Sequence, residues 1–398
     1  MHHPLQFEPL SEDFLARPYA ILNHMRESCR AYRHADSLCR VVSVFRNEDV
    51  RAIANNWHDW SSDRGEEFRK GNLGDATVMF YDDPPEHTKL RAIVAPLFLP
   101  ARVHALTSQI EQRCTELLDD CLAARDIDVI DDFASKLTIY MISKLIGLPE
   151  SALPRIRRLT EKLEEFDGQA VFWRERRPAV EAQIGEACRE MGEYFADFIR
   201  ERRRRRQDDV LSAMLDGGFT DAQASGFCQL LVIAGQATTT NLIGNAIHLL
   251  MTHPQQHALL RQTPALLEPM VEESLRLRSQ LRKLERIANT DCAIDGVEIR
   301  KGDFVALWLA SANRDPRVFD RPDEFDVTRG QLRHASFGTG VHMCIGNALA
   351  RLEARIALRQ LLARTRTLEY PQGPEAVHFA RQPIMDIVEH QPLRLIAA

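Results

Sequence analysis

The sequence predicts a mainly α-helical protein with a small β portion, organised as a single domain over residues 1–398. Two apolar runs carry this prediction. The first lies between Thr220 and Pro254, and it is long enough for a helix of roughly 45–50 Å that crosses the middle of a domain. The second, residues 347–362, has a strong apolar stripe at helical spacing. No Gly/Ser-rich tract, Pro-rich tract or repeat marks a linker, so one large unit is expected.

The overall composition is that of a soluble protein with a large core, with 44% hydrophobic and 27% charged residues. A net charge of −6 gives no basic character of the kind that binds nucleic acid. The N-terminal region contains no long apolar run, so we expect neither a signal peptide nor a membrane anchor, and a cytoplasmic location. The eight cysteines include no Cys-x-x-Cys pair and favour reduced thiols over a disulfide framework.

One cysteine stands in an unusual setting. Residues 337–346 read Phe-Gly-Thr-Gly-Val-His-Met-Cys-Ile-Gly, with Cys344 just ahead of the 347–362 helix. The helix dipole and the free N–H groups of the first turn favour a thiolate there, and the glycines let the backbone approach a flat group closely. A thiolate against a flat cofactor is how proteins make a haem iron electron-rich. The alternative is a buried free cysteine in a glycine turn.

This segment resembles the haem-binding loop of the cytochromes P450, Phe-Gly-x-Gly-x-His-x-Cys-x-Gly, and it matches every fixed position. The resemblance implies the cytochrome P450 fold of the soluble bacterial type, with a long central helix over the haem. It implies haem b (iron protoporphyrin IX) with Cys344 as the iron ligand and Phe337 and Gly338 at the cofactor. It further implies a monooxygenase that inserts one oxygen atom from O2 into a small organic molecule.

The resemblance also places cationic partners for the two haem propionates, which need such partners when they are partly buried. His87 and Arg91 lie four residues apart and therefore on one helical face. Arg286 lies in a predicted short strand, and His342 lies two residues before Cys344. All four are expected to bind the cofactor.

A pair of opposite charges, Glu273 and Arg276, lies three residues apart on a predicted helix. The pair matches the Glu-x-x-Arg motif of the family, which is a structural buttress of the haem pocket. Glu324 stands where many members have a third arginine. The triad is then either incomplete or completed by Arg329.

The long helix begins with a capping box, Thr-Asp-Ala-Gln at residues 220–223, and residues 234–239 read Ala-Gly-Gln-Ala-Thr-Thr. Gly235 leaves room for a bulky neighbour, and the Thr238 hydroxyl can bond to the preceding turn or to a ligand. The resemblance assigns Thr238 a hydrogen bond to dioxygen and a water. Ala237 stands where the family usually has an acid that relays protons. Protons then come through water alone, through a group on the substrate, or the chemistry relies less on this relay.

The substrate pocket is less clear from the sequence. If residues 280–286 form a strand, Arg282 shares a face with Leu284 and Arg286 and points into the pocket. We therefore predict that Arg282 binds an anionic or polar part of the substrate, with a propionate or Glu285 as the alternative partner. The polar loop 63–75 is predicted to be the entrance. The other predicted lining residues are Leu230, Ala234, Val78 and Phe80.

Three arginines on the helix after Cys344 are spaced by four and share one face: Arg351, Arg355 and Arg359. With Lys89 they predict a basic patch on the thiolate side of the haem. The chain contains no flavin, nucleotide or iron–sulfur motif, and the resemblance implies that electrons come from a separate acidic ferredoxin or flavodoxin. We expect a monomer that binds neither nucleic acid nor a membrane.

Two other functions remain open from the sequence. Because Ala237 replaces the usual acid, the enzyme could catalyse oxidative coupling, cyclisation or a peroxide-driven oxidation. A haem-thiolate sensor without turnover is the other alternative, although the presence of Thr238 argues against it.

Overall fold

The computed structural model describes residues 6–37, 39–65, 79–164, 172, 178–330 and 332–398. Within these ranges the chain is mainly helical, as the sequence predicts. The α-helices are α1 Glu12–Ala16, α2 Pro18–Ser28, α3 Asn47–Asn55, α4 Glu86–Val94, α5 Pro100–His104, α6 Thr107–Ala124, α7 Ser135–Ile146, α8 Leu153–Glu164, α9 Pro178–Arg204, α10 Val210–Asp216, α11 Asp221–Thr252, α12 Pro254–Gln262, α13 Leu267–Leu277, α14 Leu309–Ala312 and α15 Asn347–Arg364.

The β portion is small. The strands are β1 Ala31–His34, β2 Val41–Val44, β3 Trp60–Ser61, β4 Asp126–Asp128, β5 Leu284–Ala288, β6 Cys292–Ile294, β7 Val297–Ile299, β8 Phe304–Leu307, β9 Thr365–Glu369, β10 His378–Phe379, β11 Val388–His390 and β12 Pro392–Ala397. A five-stranded sheet has the order β1-β2-β8-β5-β3, in which β2 and β8 are parallel and the other pairs antiparallel. A second sheet has the order β4-β12-β9, and β6–β7 and β10–β11 form two-stranded pairs.

The central helix α11 begins at the capping box that the sequence predicts. The Gln223 backbone N–H donates to Thr220 Oγ1 at 3.1 Å, and the Thr220 N–H donates to Gln223 Oε1 at 3.0 Å. Most of the helix is buried, because α7, α9, α13 and α15 pack around it. It therefore forms a rigid wall at the centre of the molecule.

An apolar cluster joins the helices behind this wall. Side chains of α6, α7, α11, α13 and α15 meet in this cluster. Each helix contributes several of them, for example, in the same order, Leu118, Met141, Ile243, Leu275 and Leu358. Burial of each such side chain stabilises the fold by about 1.5–3 kcal/mol. The cluster fixes α15, and with it the loop 337–346, relative to α11.

The Glu273–Arg276 pair on α13 is completely buried, and two hydrogen bonds of 2.7 Å join the two side chains. Arg329 Nε donates to the same carboxylate at 2.9 Å, so Arg329 completes the triad. Glu324 contributes its backbone oxygen, which accepts from Arg276 Nη2 at 3.1 Å. Breaking a buried ion pair of this kind costs about 3–5 kcal/mol, which makes the triad a strong anchor for the segment that leads to the Cys344 loop.

Among the described residues, no single helix is long and apolar enough to cross a membrane. One pair of helical stretches, Glu86–His104 and Thr107–Ala124, meets the length and composition test only when the two are taken together, and it is bent by 68°.

Candidate active site

A large cavity lies between α11, the loop 337–346 and strand β5, with about 1810 Å³ of non-protein space that opens to solvent. It brings together most of the residues that the sequence singles out. Its wall includes Cys344, Phe337, Gly338, His342, His87, Arg91, Arg286, Leu230, Ala234, Gly235, Thr238 and Phe80. Ala237 and Arg282 are not part of this wall, and Val78 and most of the predicted entrance loop lie outside the described residues.

The loop 337–346 closes on itself and presents Cys344 to the cavity. The Cys344 N–H donates to the Phe337 carbonyl oxygen at 2.8 Å. Gly340 has a φ of +74°, and a Cβ there would lie 2.7 Å from the Ala54 carbonyl oxygen, so only glycine fits. Burial raises the pKa of the Cys344 thiol, whereas the backbone amide of Gly346 and the positive charge of Arg91 act in the opposite direction.

A cluster of basic side chains lines one edge of the cavity. The His87 and His342 rings have centroids 4.2 Å apart, and His87 Nδ1 and His342 Nε2 are buried without a hydrogen-bond partner among the described residues. Burial, followed by the charge of Arg286, lowers the pKa of His342 to about 2. Burial also lowers the pKa of Arg286 to about 10 and lowers the pKa of Arg91.

Buried polar atoms without partners are rare in folded proteins and call for a physical explanation. Basic groups packed together and partly desolvated in this way are suited to an anionic ligand. A haem with two propionates supplies acceptors for the orphaned ring nitrogens and a counter-charge for Arg91 and Arg286. With the Cys344 sulfur in the same cavity, these residues fit a haem.

Thr238 is one of two threonines through which α11 lines the cavity, the other being Thr239. Thr238 Oγ1 donates to the Ala234 carbonyl oxygen at 2.6 Å, and both residues line the cavity. A Cβ on Gly235 would lie 2.9 Å from Ile142 Cδ1 of α7. The bulky neighbour for which Gly235 leaves room is therefore a side chain of the protein itself, and Ile142 also lines the cavity.

Ala237 lies on a different face of α11 from Thr238. It is buried within an apolar cluster that includes Ile384 and Met385. Its carbonyl oxygen accepts from Asn241 Nδ2 at 2.8 Å. Position 237 thus belongs to the apolar packing on the side of α11 that faces away from the cavity. An alanine there provides no carboxyl group for proton transfer.

The prediction that Arg282 points into the cavity is wrong. Arg282 Nη2 donates to Asp386 Oδ1 at 2.6 Å, and Nη1 donates to the Gln382 carbonyl oxygen at 2.6 Å. The physical reason is that β5 begins only at Leu284, so the alternation of a strand does not extend back to position 282. The side-chain contacts of Arg282 also do not include Glu285, which was one of its two alternative partners, the other being a propionate.

The structure reveals cavity residues that the sequence argument missed. Lys283, Glu285 and Arg64 lie in the wall, and both cations form ion pairs with the Glu285 carboxylate. The density of charge in residues 280–286 was the signal for Lys283 and Glu285, but the sequence argument assigned Arg282 to the cavity instead. Arg64 belongs to the predicted entrance loop 63–75. Glu353 of α15 also lines the cavity, and burial raises its pKa well above the ordinary value. The sequence contains only one indication of this site, namely that Glu353 is an acidic residue within the apolar helical run 347–362.

The predicted basic patch is not a surface of bare cations. Each of its four members forms an ion pair with an acid of this chain: Arg351 with Glu272, Arg355 with Glu268, Arg359 with Glu111 and Lys89 with Glu86. Next to Cys344, the Met343 side chain is 47% exposed. The surface on the Cys344 side therefore carries charges of both signs, and the apolar Met343 side chain is exposed next to the loop 337–346.

The fold and this cavity are those of a haem monooxygenase. A family model for cytochrome P450 matches residues 17–264 and 260–392. The chain belongs to the cytochrome P450 family. This assignment confirms the predictions of a cytochrome P450 and of an oxidoreductase.

Individual relatives agree with this assignment. The chain is 34% identical over 403 residues to the cytochrome P450 monooxygenase PikC of Streptomyces venezuelae, covering 98% of this chain and 94% of that protein. Its structure is similar to P450BioI in complex with hexadec-9Z-enoic acid ligated acyl carrier protein, with a TM-score of 0.88 and 31% identity over 96% of this chain and 100% of that one. It is also similar to CxnD, a cytochrome P450 for C–S bond formation in chuangxinmycin biosynthesis, with a TM-score of 0.89 and 31% identity over 100% and 99% of the two chains.

Proposed function

We propose that this cytochrome P450 inserts one oxygen atom from O2 into a small organic molecule that carries a polar or anionic group. In this proposal Cys344 ligates the iron of haem b, and His87, Arg91, Arg286 and His342 hold its propionates. Electrons come from a separate ferredoxin or flavodoxin.

The observation that carries the proposal is the position of the Thr238 hydroxyl, in the wall of the cavity that also holds the Cys344 sulfur. The haem supplies the oxygen chemistry when it is bound. Thr238 Oγ1 is held in place by its 2.6 Å bond to the Ala234 carbonyl oxygen. While it donates there, its lone pairs can accept a hydrogen bond from a water in the cavity. Thr238 can in this way hold the water that passes a proton to the reacting oxygen.

Electron transfer requires the donor to approach the Cys344 side of the molecule. The Arg355–Glu268 pair lies near the surface, with side chains that are 35% and 70% exposed, and pairs of this kind exchange partners at little cost. An acidic donor could therefore replace Glu268 as the partner of Arg355, while Met343 gives an apolar contact beside Cys344. Such an interface weakens as salt rises.

The test is turnover of the haem-loaded protein with a ferredoxin and its reductase as donor, in an atmosphere of 18O2 and with a library of small acids and neutral molecules. The proposal expects products that carry one labelled oxygen atom, with a rate of reduction that falls as ionic strength rises. Unlabelled products, or reduction rates independent of salt, contradict it.

Oxidative coupling is the second candidate function, and the observation that favours it is Ala237. A buried alanine at this position cannot transfer protons, and coupling reactions need not deliver oxygen into the product. The similarity to CxnD, which is described as forming C–S bonds, supports this alternative. The same 18O2 experiment separates the two, because a coupled or cyclised product contains no labelled oxygen. Turnover with hydrogen peroxide in place of the donor and O2 tests the peroxide-driven form of the alternative.

A further inference from the structure

A buried carboxylate, that of Asp386, lies behind the cavity wall and has no part in the proposed function. Its side chain is 1% exposed, and Asp386 is not itself a wall residue. Oδ1 accepts hydrogen bonds from Arg278 Nη2 at 3.0 Å and from Arg282 Nη2 at 2.6 Å. Oδ2 accepts from the Tyr19 hydroxyl at 2.6 Å. We refer to these four residues as the Asp386 clamp.

The Asp386 clamp joins segments that are distant in the sequence. Tyr19 belongs to α2, Arg278 follows the end of α13, Arg282 precedes β5, and Asp386 precedes β11. Burial acts to raise the pKa of Asp386, but the charges of Arg278 and Arg282 lower it to about 2. The carboxylate is therefore ionised at neutral pH and is a charged anchor for the three segments that meet it.

Two of these segments, residues 280–282 and 384–386, also run side by side through backbone contacts. The Asp386 N–H donates to the Gln280 carbonyl oxygen at 2.9 Å, and the Arg282 N–H donates to the Ile384 carbonyl oxygen at 2.6 Å. An isolated antiparallel bridge lies between these two bonds. The side-chain bond from Arg282 to Asp386 spans the same two segments, so it holds them in this register.

The paired segments carry part of the cavity wall, whereas the clamp side chains do not. Gln280, Leu281 and Ile384 line the cavity. On the other side, Asn245 Nδ2 of α11 donates to the Asp386 carbonyl oxygen at 3.1 Å. The positions of the three wall side chains relative to α11 are thus set from behind the wall. Separating a buried ion pair is costly, so the clamp opposes movement of this part of the wall.

We propose that Asp386 is a positioning residue, which fixes the paired segments 280–282 and 384–386 and so determines how well the cavity wall fits a substrate. This inference rests on the proposed function, because it names a residue that acts on the specificity of the same site. Without the charge of Asp386, both arginines lose their common acceptor, and the wall is no longer held in one arrangement. A wall that is not preorganised binds an apolar ligand less tightly.

The test is equilibrium binding of alkylimidazoles to the haem-loaded protein, read from the shift of the Soret band. Imidazole is the reference, because it is too small to depend on the distant wall. The probes 1-butyl-, 1-octyl- and 1-dodecylimidazole carry an apolar chain into the cavity. The affinity of each probe divided by that of imidazole, the chain ratio, measures what the wall contributes.

In Asp386→Asn we expect the chain ratio to fall at least about fivefold for at least one chain length, since the wall loses its preorganisation. The affinity for imidazole itself should change by less than about twofold, and the spectrum of the reduced carbon monoxide complex should stay the same. These two readouts show that the haem site is intact.

A second buried ion pair of the chain offers a matched control. Arg202 and Asp209 pair at 2.9 Å with side chains that are 2% and 3% exposed, and neither residue lines the cavity. Asp209→Asn therefore makes the same chemical change at a site without wall contacts. Both variants should lower the midpoint of urea unfolding, but Asp209→Asn should leave the chain ratio unchanged. This comparison separates positioning from a general loss of stability.

A milder variant covers the case in which Asp386→Asn does not take up haem. Tyr19→Phe removes one neutral hydrogen bond and leaves both arginines paired with Asp386. We expect the chain ratio to fall by about twofold to threefold, as the loss of one such bond implies. If Asp386→Asn cannot be loaded, an unchanged chain ratio in Tyr19→Phe overturns the proposal.

Two results with Asp386→Asn also overturn the proposal. One is a chain ratio equal to that of the wild type at every chain length. The other is an equal fall in Asp209→Asn, which would mark the clamp as a source of stability alone. The proposed function fails separately, if the chain ratios behave as expected but the wild-type protein inserts labelled oxygen into no substrate.

Discussion

The two sides of the cavity are built in different ways. The thiolate side comes mostly from one contiguous stretch, where the Cys344 N–H bonds to the Phe337 carbonyl oxygen at 2.8 Å and α15 follows at once. The opposite wall gathers side chains from distant segments: Ser62 and Arg64, Met79 to Tyr81, one face of α11 that includes Leu230 and Thr238, residues 280–281 and 283–286, and Ile384. The positions of side chains in a contiguous motif are set by local backbone hydrogen bonds, whereas those in the opposite wall depend on how separate helices and strands pack.

This difference predicts where the protein tolerates change. A substitution in the motif should remove function whatever the substrate, because in the proposed function the Cys344 sulfur has no substitute as the iron ligand. A substitution in the assembled wall should change the efficiency or the choice of substrate by smaller factors. The following experiments test this contrast, beginning with the largest expected effect.

Replacing Cys344, the proposed iron ligand, is expected to have the largest effect. Cys344→Ser removes the thiolate, and we expect the red-shifted Soret band of the reduced carbon monoxide complex to disappear together with all donor-driven turnover. Cys292→Ser, at another cysteine with an exposed side chain, is the control and should retain both. A red-shifted band in Cys344→Ser would show that another residue ligates the iron.

The next largest effect is expected in the buttress beneath the thiolate side. Glu273→Gln takes one charge from the buried triad with Arg276 and Arg329, and it should lower the free energy of unfolding by about 3–5 kcal/mol. Urea unfolding of the haem-loaded protein measures this loss. Glu298→Gln, at an exposed residue of β7, should change it by less than about 0.5 kcal/mol. A loss for Glu273→Gln no greater than that of the control would contradict the role of the triad.

On the assembled wall the expected effect is on coupling rather than on stability. Thr238→Ala removes the hydroxyl that bonds to the Ala234 carbonyl oxygen. The amount of product formed per reduced nicotinamide consumed should then fall about tenfold. Thr238→Ser keeps a hydroxyl and should restore most of the coupling. The measurement is the ratio of product formed to reduced nicotinamide consumed. The same ratio in all three proteins would mean that Thr238 takes no part in proton delivery.

Glu353 lies between the two sides, because it belongs to α15 but lines the cavity. Burial holds its pKa well above the ordinary value, so the folded chain keeps a proton that the unfolded chain releases above about pH 4.3. Stability should therefore fall as pH rises from this value to the folded-state pKa, since the folded state binds more protons. Glu353→Gln should remove this decline and raise stability near neutral pH, which urea unfolding over a pH series measures. An unchanged pH profile would show that Glu353 is ionised in the folded protein.

The contrast also explains what could be predicted from the sequence. The Cys344 loop, the capping box at Thr220 and the Glu273–Arg276 pair are local patterns, and the structure has each of them in the predicted form. Arg329 could be proposed as the third member of the triad because the family pattern limited the choice. Arg282 could not be placed, because its direction depends on where β5 begins and on Asp386, more than a hundred residues away in the sequence.

The last and smallest effect concerns the missing acid. Restoring it with Ala237→Asp puts a carboxyl group at a buried position outside the cavity wall, near Ile384 and Met385. An unpaired buried polar group costs about 1–3 kcal/mol, so the variant should be less stable. Because position 237 does not face the cavity, the rate of oxygen activation should change by less than about twofold, a difference of under ~0.5 kcal/mol in barrier. Ala237→Asn, of nearly the same size but without an exchangeable acid, is the matched control. Faster or better coupled turnover in the aspartate variant alone would show that proton supply limits this enzyme. It would also show that a carboxyl group at position 237 can deliver protons to the cavity.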